Sequence, residues 1–238
     1  MNWFKNLKIS KKLLIGFILV SLIAGLEGYE GMSSLKKADD SDEILYKYNT
    51  VPLSYLIELT GNFHRMRANG LELMAAKTPE EHETAYSSLL ERSAGITKNL
   101  AAIKELIIAD EVRQKVEGFE NAFSEFNNSF LTFVNLCRAG NDTEAELIWE
   151  NNLKISRKNV QNALSDLEKI YTERAKQRSD SNTEEASAAS RNMLIYILAG
   201  IFIAIGLGIF ISRLIARPVK ELADAADKLA LGDIEVNI

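Results

Sequence analysis

The sequence predicts an all-α protein in which two transmembrane helices flank an extracytoplasmic up-down-up-down four-helix bundle, with a short amphipathic helix after the second span. Three observations carry this. Apolar residues recur at alternating steps of three and four along four separate stretches. Two further stretches, one near each end, are apolar enough to enter a bilayer. The chain holds only three prolines, Pro52, Pro79 and Pro218, and few other turn signals interrupt it.

Composition narrows the function classes. The formal net charge is -5 and no basic tract carries interleaved aromatics, so nucleic acid is not an expected partner. Cys137 is the one cysteine, so no intramolecular disulfide can form. No P-loop, HExxH, CxxC or glycine-rich nucleotide loop occurs, and neither catalysis nor a cofactor is expected. His64 and His82 stand apart from each other and read as surface residues rather than metal ligands.

Residues 1–12 form the cytoplasmic N-terminus. They carry Lys5, Lys8, Lys11 and Lys12 and no acid, with Trp3 and Phe4 suited to a membrane interface. Residues 13–32 are the first transmembrane helix, closed by Glu27 and Glu30. Its apolar core is short enough to fit a signal peptide as well. Three points favour a retained span: Lys11 and Lys12 can snorkel, a small-x-small cleavage site is missing, and the helical pattern continues past Gly31. Residues 193–212 hold no charge and form the second transmembrane helix, with Gly200, Ala204, Gly208 and Ser212 offering another membrane helix a close-packing face. Basic residues flank the outer ends of both spans, since Arg213, Arg217 and Lys220 follow the second. The positive-inside rule therefore places both termini in the cytoplasm and residues 33–192 outside.

That outer segment divides into four helices. The first continues from the membrane to about Ala76, with Leu56, Leu59, Phe63, Met66, Gly70 and Leu73 as its seam. Thr78-Pro79-Glu80-Glu81 is a capping box with proline in the first turn, and starts the second. Its seam is Tyr86, Leu89, Ser93, Ile96, Leu100, Ile103 and Ile107. A break near Ala109-Asp110 leads into the third, whose stripe is Val112, Val116, Phe119, Phe123, Phe126, Phe130, Phe133 and Cys137. An aromatic stripe at this spacing reads as bundle core, and Cys137 as a small buried hydrophobe. Gly140-Asn141 stops that helix and Asp142 or Thr143 caps the fourth. The fourth seam is Trp149, Leu153, Ser156, Val160, Ala163, Leu167 and Ile170. Residues 172–192 lack large apolar side chains, because the middle two helices are too short to cover them, so pairing with a second copy is expected there.

Residues 213–238 follow the second span. Ile215, Val219, Leu222, Ala226 and Leu229 make a coiled-coil seam, which needs partner helices to bury it. A frayed tail would need no such seam.

Together these features resemble the N-terminal half of a methyl-accepting chemotaxis receptor of the four-helix-bundle sensor type. Leu7-Lys8-Ile9-Ser10-Lys11-Lys12-Leu13-Leu14-Ile15-Gly16-Phe17 resembles the entry to the first span in that family. Arg217-Pro218-Val219-Lys220-Glu221-Leu222, with Gly232-Asp233 after it, resembles the first helix of a HAMP linker and the start of its connector. The family's second HAMP helix, methylatable hairpin and kinase-engaging tip have no counterpart in these 238 residues. The resemblance thus implies a two-pass, homodimeric input module of the bacterial cytoplasmic (inner) membrane. It would bind a small molecule outside and shift the fourth helix, its span and the HAMP helix. A chemotaxis kinase would be reached only through a C-terminal part absent here. The input half of a sensor histidine kinase or diguanylate cyclase uses similar parts, and a non-signalling anchored bundle is the third reading.

Counting from the bundle's outer end locates a candidate ligand site. Arg65 in the first bundle helix and Lys154 in the fourth both sit roughly 16 Å from the tip. Arg67, Arg157, Lys158 and Arg92 fall within about a turn of that level. Such a girdle suits a carboxylate held by charge-assisted bonds. Arginines in the outer half of the first helix play this part in the receptors resembled, so Arg65 and Arg67 lead the list, with Lys154 and Arg157 opposite. The competing reading is that Glu58, Glu72, Glu91, Glu146 and Glu150 simply pair with these cations on a solvated face.

Overall fold

The computed structural model describes residues 7–230. Helix α1 spans Ile9–Leu45, a π-turn follows at Tyr46–Thr50, and α2 spans Val51–Ala75. Then come α3 (Pro79–Glu105), α4 (Asp110–Arg138) and α5 (Asp142–Ile148). A second π-turn at Trp149–Leu153 leads into α6 (Lys154–Ala230). Asp40–Asn182 form one compact unit, and Met1–Asp39 with Thr183–Ile238 form the other.

The first of these units is the four-helix bundle. Its boundaries are set by local chemistry. Thr78 Oγ1 accepts from the Glu81 N–H at 3.2 Å while the Glu81 carboxylate accepts from the N–H groups of Thr78 and Lys77, so the predicted capping box forms. Helix α4 ends in a Schellman motif: Gly140 adopts φ 74°, its N–H reaches Cys137 O, and the Asn141 N–H reaches Leu136 O. The last cap lies one residue before the predicted one, since Asn141 is the N-cap and Asp142 already the first helical residue of α5.

The core follows the predicted seams closely. All six named positions of the first seam are buried. Phe126 meets Phe63 edge-on at 5.1 Å, and stacks continue through Phe130 and Phe133 to Trp149, where the centroids are 5.0 Å apart. Burying each such ring contributes about 1.5–3 kcal/mol. Two seams shift. In α3 the deepest positions include Ala85 and Asn99, whereas Tyr86 and Leu100 are half-buried. Tyr86 instead lies under the Arg138 guanidinium, 4.2 Å from its centroid, and the Asn99 amide is satisfied by Gly95 O at 3.0 Å. In α6, Leu164 and Tyr171 are buried more deeply than Ala163 and Ile170, because a straight helix drifts away from a strict seven-residue repeat. Cross-helix pairs show neighbours running antiparallel: Lys115 bonds Asp166 and Glu111 bonds Arg174, one helix rising as the other descends.

The second unit contains the two apolar stretches, in α1 and α6. Both are long and apolar enough to cross a membrane, and only 11% and 0% of their apolar windows are buried, unlike the core helix of a soluble domain. Gly16 of α1 lies against Ile211 of α6, Glu27 against Gly200, and Gly31 against Met193. Within the stripe of small residues, Gly200 turns toward α1 of the same chain, and Ala204, Gly208 and Ser212 line a groove with Gly16 and Val20 of α1, where a Cβ on Gly208 would meet nothing within 4 Å. Helix α6 passes through Pro218 without a break, and Val219 and Leu222 stand 49% and 55% exposed. Gly232 and Asp233 lie outside the described residues, as does the side chain of Leu229.

Candidate functional site

Two departures from α-helical geometry shape the bundle's first and fourth helices. In the first, the Val51 N–H reaches back five residues to Tyr46 O. Pro52 explains this turn: it has no N–H for the carbonyl four residues earlier, and its ring would collide with that carbonyl. The second π-turn, Trp149–Leu153, contains no proline. Its carbonyls are held instead by the residues that follow: Arg157 Nε donates to Leu153 O at 3.1 Å, and Ser156 Oγ to Asn152 O at 3.1 Å. Extra residues of this kind often mark functional sites.

Arg157 sits at the centre of the region. Its guanidinium lies 4.7 Å from the Trp149 ring centroid. That ring presses on Phe133 and fills the notch left by Gly70, where a Cβ would stand 3.1 Å from Trp149 Cζ3 and 3.0 Å from Phe130 Cε2. Gly70 is therefore small so that the tryptophan can approach. Burial lowers the Arg157 pKa first, and the like charge of Arg67 lowers it further, with Glu150 acting in the opposite sense. The exposed Arg67 of α2 thus comes near enough to the half-buried Arg157 of α6 for one charge to act on the other.

The predicted residues separate into groups. Arg67 and Arg157 are brought together. Lys154 lies on a shallow hollow of about 380 Å³ with Glu150, Asn151, Asn152 and Ile155. Arg65 is exposed. Asn62 packs where Gly95 lacks a side chain, and Arg65 and Arg92 each lie three residues from that contact toward the same end, which sets them at one height. Arg92 pairs with its neighbour Glu91 at 3.3 Å, and its Nε is buried without a partner. Among the described residues, no ion pair joins Arg65, Arg67, Lys154, Arg157 or Lys158 to a carboxylate. Glu72 accepts from Asn69 instead. Of the carboxylates in the competing reading, Glu91 pairs with Arg92 and Glu150 acts on Arg157 through its charge without an ion pair.

Sequence reasoning missed both π-turns. A signal existed for each: Pro52 inside the first helix, and the four-residue steps from Ala145 to Trp149 to Leu153 in the fourth, a slower period than the seam elsewhere.

Residues 6–186 match the family model of a four helix bundle sensory module for signal transduction. The chain belongs to this family. A sensory transducer protein of Acetivibrio thermocellus is 28% identical over 173 residues, 73% of this chain and 31% of its own length. The methyl-accepting chemotaxis protein NahY of Pseudomonas putida is 24% identical over 235 residues, 94% of this chain and 40% of its own. The chain spans less than half the length of these curated relatives. No solved structure matches it.

Proposed function

We propose that the chain is the input module of a transmembrane chemoreceptor that binds a small anionic molecule, carboxylate or similar, between Arg67 and Arg157. The observation that carries this is the nearby guanidinium pair, neither member of which makes an ion pair among the described residues. The fold holds the half-buried Arg157 near the exposed Arg67, and an anion bound to both would relieve the repulsion between their like charges. Arginine forks suit a carboxylate, which would make paired charge-assisted bonds. Arg157 belongs to α6, which also contains the second apolar stretch and the HAMP-like sequence from Arg217 to Leu222. A ligand that draws Arg157 toward Arg67 pulls on the second π-turn, and the displacement passes along α6 to Pro218, Val219 and Leu222. The match to a sensory module and the relative named a methyl-accepting chemotaxis protein support this reading. In it the protein is a two-pass homodimer of the bacterial cytoplasmic membrane, with residues 33–192 outside. Gly232 and Asp233 would begin the connector to an output part.

The test is a thermal-shift screen of the chain in nanodiscs against organic acids, amino acids and aromatic acids, then calorimetry on any hit. An anion bound between the two guanidinium groups would desolvate both, and losing one such partner costs about 2 kcal/mol or more, so Arg67→Ala should weaken binding about 30-fold. Arg65→Ala, at a solvated position, should change it little. Unchanged affinity in Arg67→Ala and Arg157→Lys would place the site elsewhere.

A further inference from the structure

A second group of cations lies far along the chain from the first, in the unit that holds the two apolar stretches. Lys12 of α1 is only 7% exposed, although its neighbours Lys11 and Leu13 are exposed. Among the described residues Lys12 has neither an ion pair nor a side-chain hydrogen bond, and its stem is covered. It lines a groove of about 630 Å³ with Arg213 and Arg217 of α6. Among the described residues Arg213 likewise has no carboxylate partner, and Arg217 makes an exposed contact with Glu221 at 3.4 Å. The other wall is apolar, formed by Ile209, Phe210 and Leu214.

From this we propose that the groove is a binding site for one anionic phospholipid, such as a phosphatidylglycerol. Its phosphodiester sits between Lys12 and Arg213, with Arg217 beside them, and the start of an acyl chain runs along Ile209, Phe210 and Leu214. Three features single out a lipid. Lys12 and Arg213 mark the ends of the two apolar stretches, so the groove lies at headgroup depth. Clustered cations beside hydrocarbon are stabilised by an anion that arrives with its own apolar surface. The groove supplies charge on one side and hydrocarbon on the other, whereas a free anion would use the first alone. The proposal rests on reading both stretches as membrane spans, and it does not depend on which leaflet they face.

The experiment reconstitutes the full chain in bilayers mixing phosphatidylglycerol with phosphatidylcholine, then counts retained lipids by native mass spectrometry. Flotation with the vesicles first establishes insertion. A chain that fails to float loses the span reading itself, whereas an inserted chain without lipid preference loses only the site. Wild type should retain phosphatidylglycerol preferentially. Lys12→Gln and Arg213→Gln should each reduce the preference about fivefold, and Lys12→Arg should keep it. Lys11→Gln removes the same charge from an exposed neighbour and should change little. An equal loss in Lys11→Gln would mean diffuse surface attraction and overturn the groove. Displacement of the lipid by inorganic phosphate would overturn the lipid in favour of a free anion.

Discussion

At the scale of single residues, the bundle contains buried polar groups that its packing does not satisfy. Tyr171 is 1% exposed, and its hydroxyl has no hydrogen-bond partner among the described residues. Burial pushes its pKa up to about 12, with the nearby Arg174 acting in the opposite sense. The native state therefore holds this proton in a range where an unfolded tyrosine, with a pKa near 10, has lost it. Stability is complete below about pH 10 and falls as the pH rises toward 12, because the unfolded chain releases the proton first. Cys137, pushed up to about 11 mainly by burial, adds a slope of the same sign beginning near its ordinary value. Tyr171→Phe removes an unsatisfied group while keeping the ring. We expect it to leave stability unchanged or raise it by about 1 kcal/mol, and to flatten the alkaline limb of thermal unfolding. A loss of more than about 2 kcal/mol would reveal a hydrogen bond to this hydroxyl that the fold does not display.

At the scale of elements, the sequence specified helices and their inward faces well because apolar periodicity is a direct consequence of burial. The phenylalanines of α4 and the seam of α2 fell where their spacing put them. Tyr86 and Asn99 were not legible, since the first is drawn outward by Arg138 and the second is satisfied within its own helix. The π-turns were missed because they change the phase of a seam without changing its composition. The candidate site was half legible. Helix counting put Arg67 and Arg157 within about a turn of one level, but only the phase after the second π-turn brings Arg157 near Arg67 while Lys154 lies on another hollow. Phase also frames a test on α6. Val219 and Leu222 are exposed and share one face, which the proposed homodimer would cover. Cysteines scanned along this stretch in membranes should form intermolecular disulfides most readily at Val219 and Leu222, and poorly at Lys220 and Glu221. Cross-linking without a helical period would remove this face from the dimer.

At the scale of the whole molecule, the remaining question is which way the chain faces the membrane. Charge supplies the argument. Lys8, Lys11 and Lys12 precede the first apolar stretch, Arg213, Arg217 and Lys220 follow the second, and Glu27 and Glu30 close the first on its other side. Short basic flanks favour the cytoplasm, and the proposed function accordingly has both ends of the chain there and the bundle outside. Single cysteines distinguish the two orientations. The Gly140-Asn141 turn offers an exposed position at Asn141, and Ser10 is exposed beside the first span. The native Cys137 interferes little, being 2% exposed, with a thiol pKa raised to about 11 that leaves scant thiolate at neutral pH. Replacing it by alanine removes even that background. In intact cells a membrane-impermeant thiol reagent should label Asn141→Cys and spare Ser10→Cys, and both should react once the membrane is opened. Labelling of Ser10→Cys alone in intact cells would invert the orientation, place the Arg67–Arg157 niche in the cytoplasm, and require its anion to be an internal metabolite rather than an external signal.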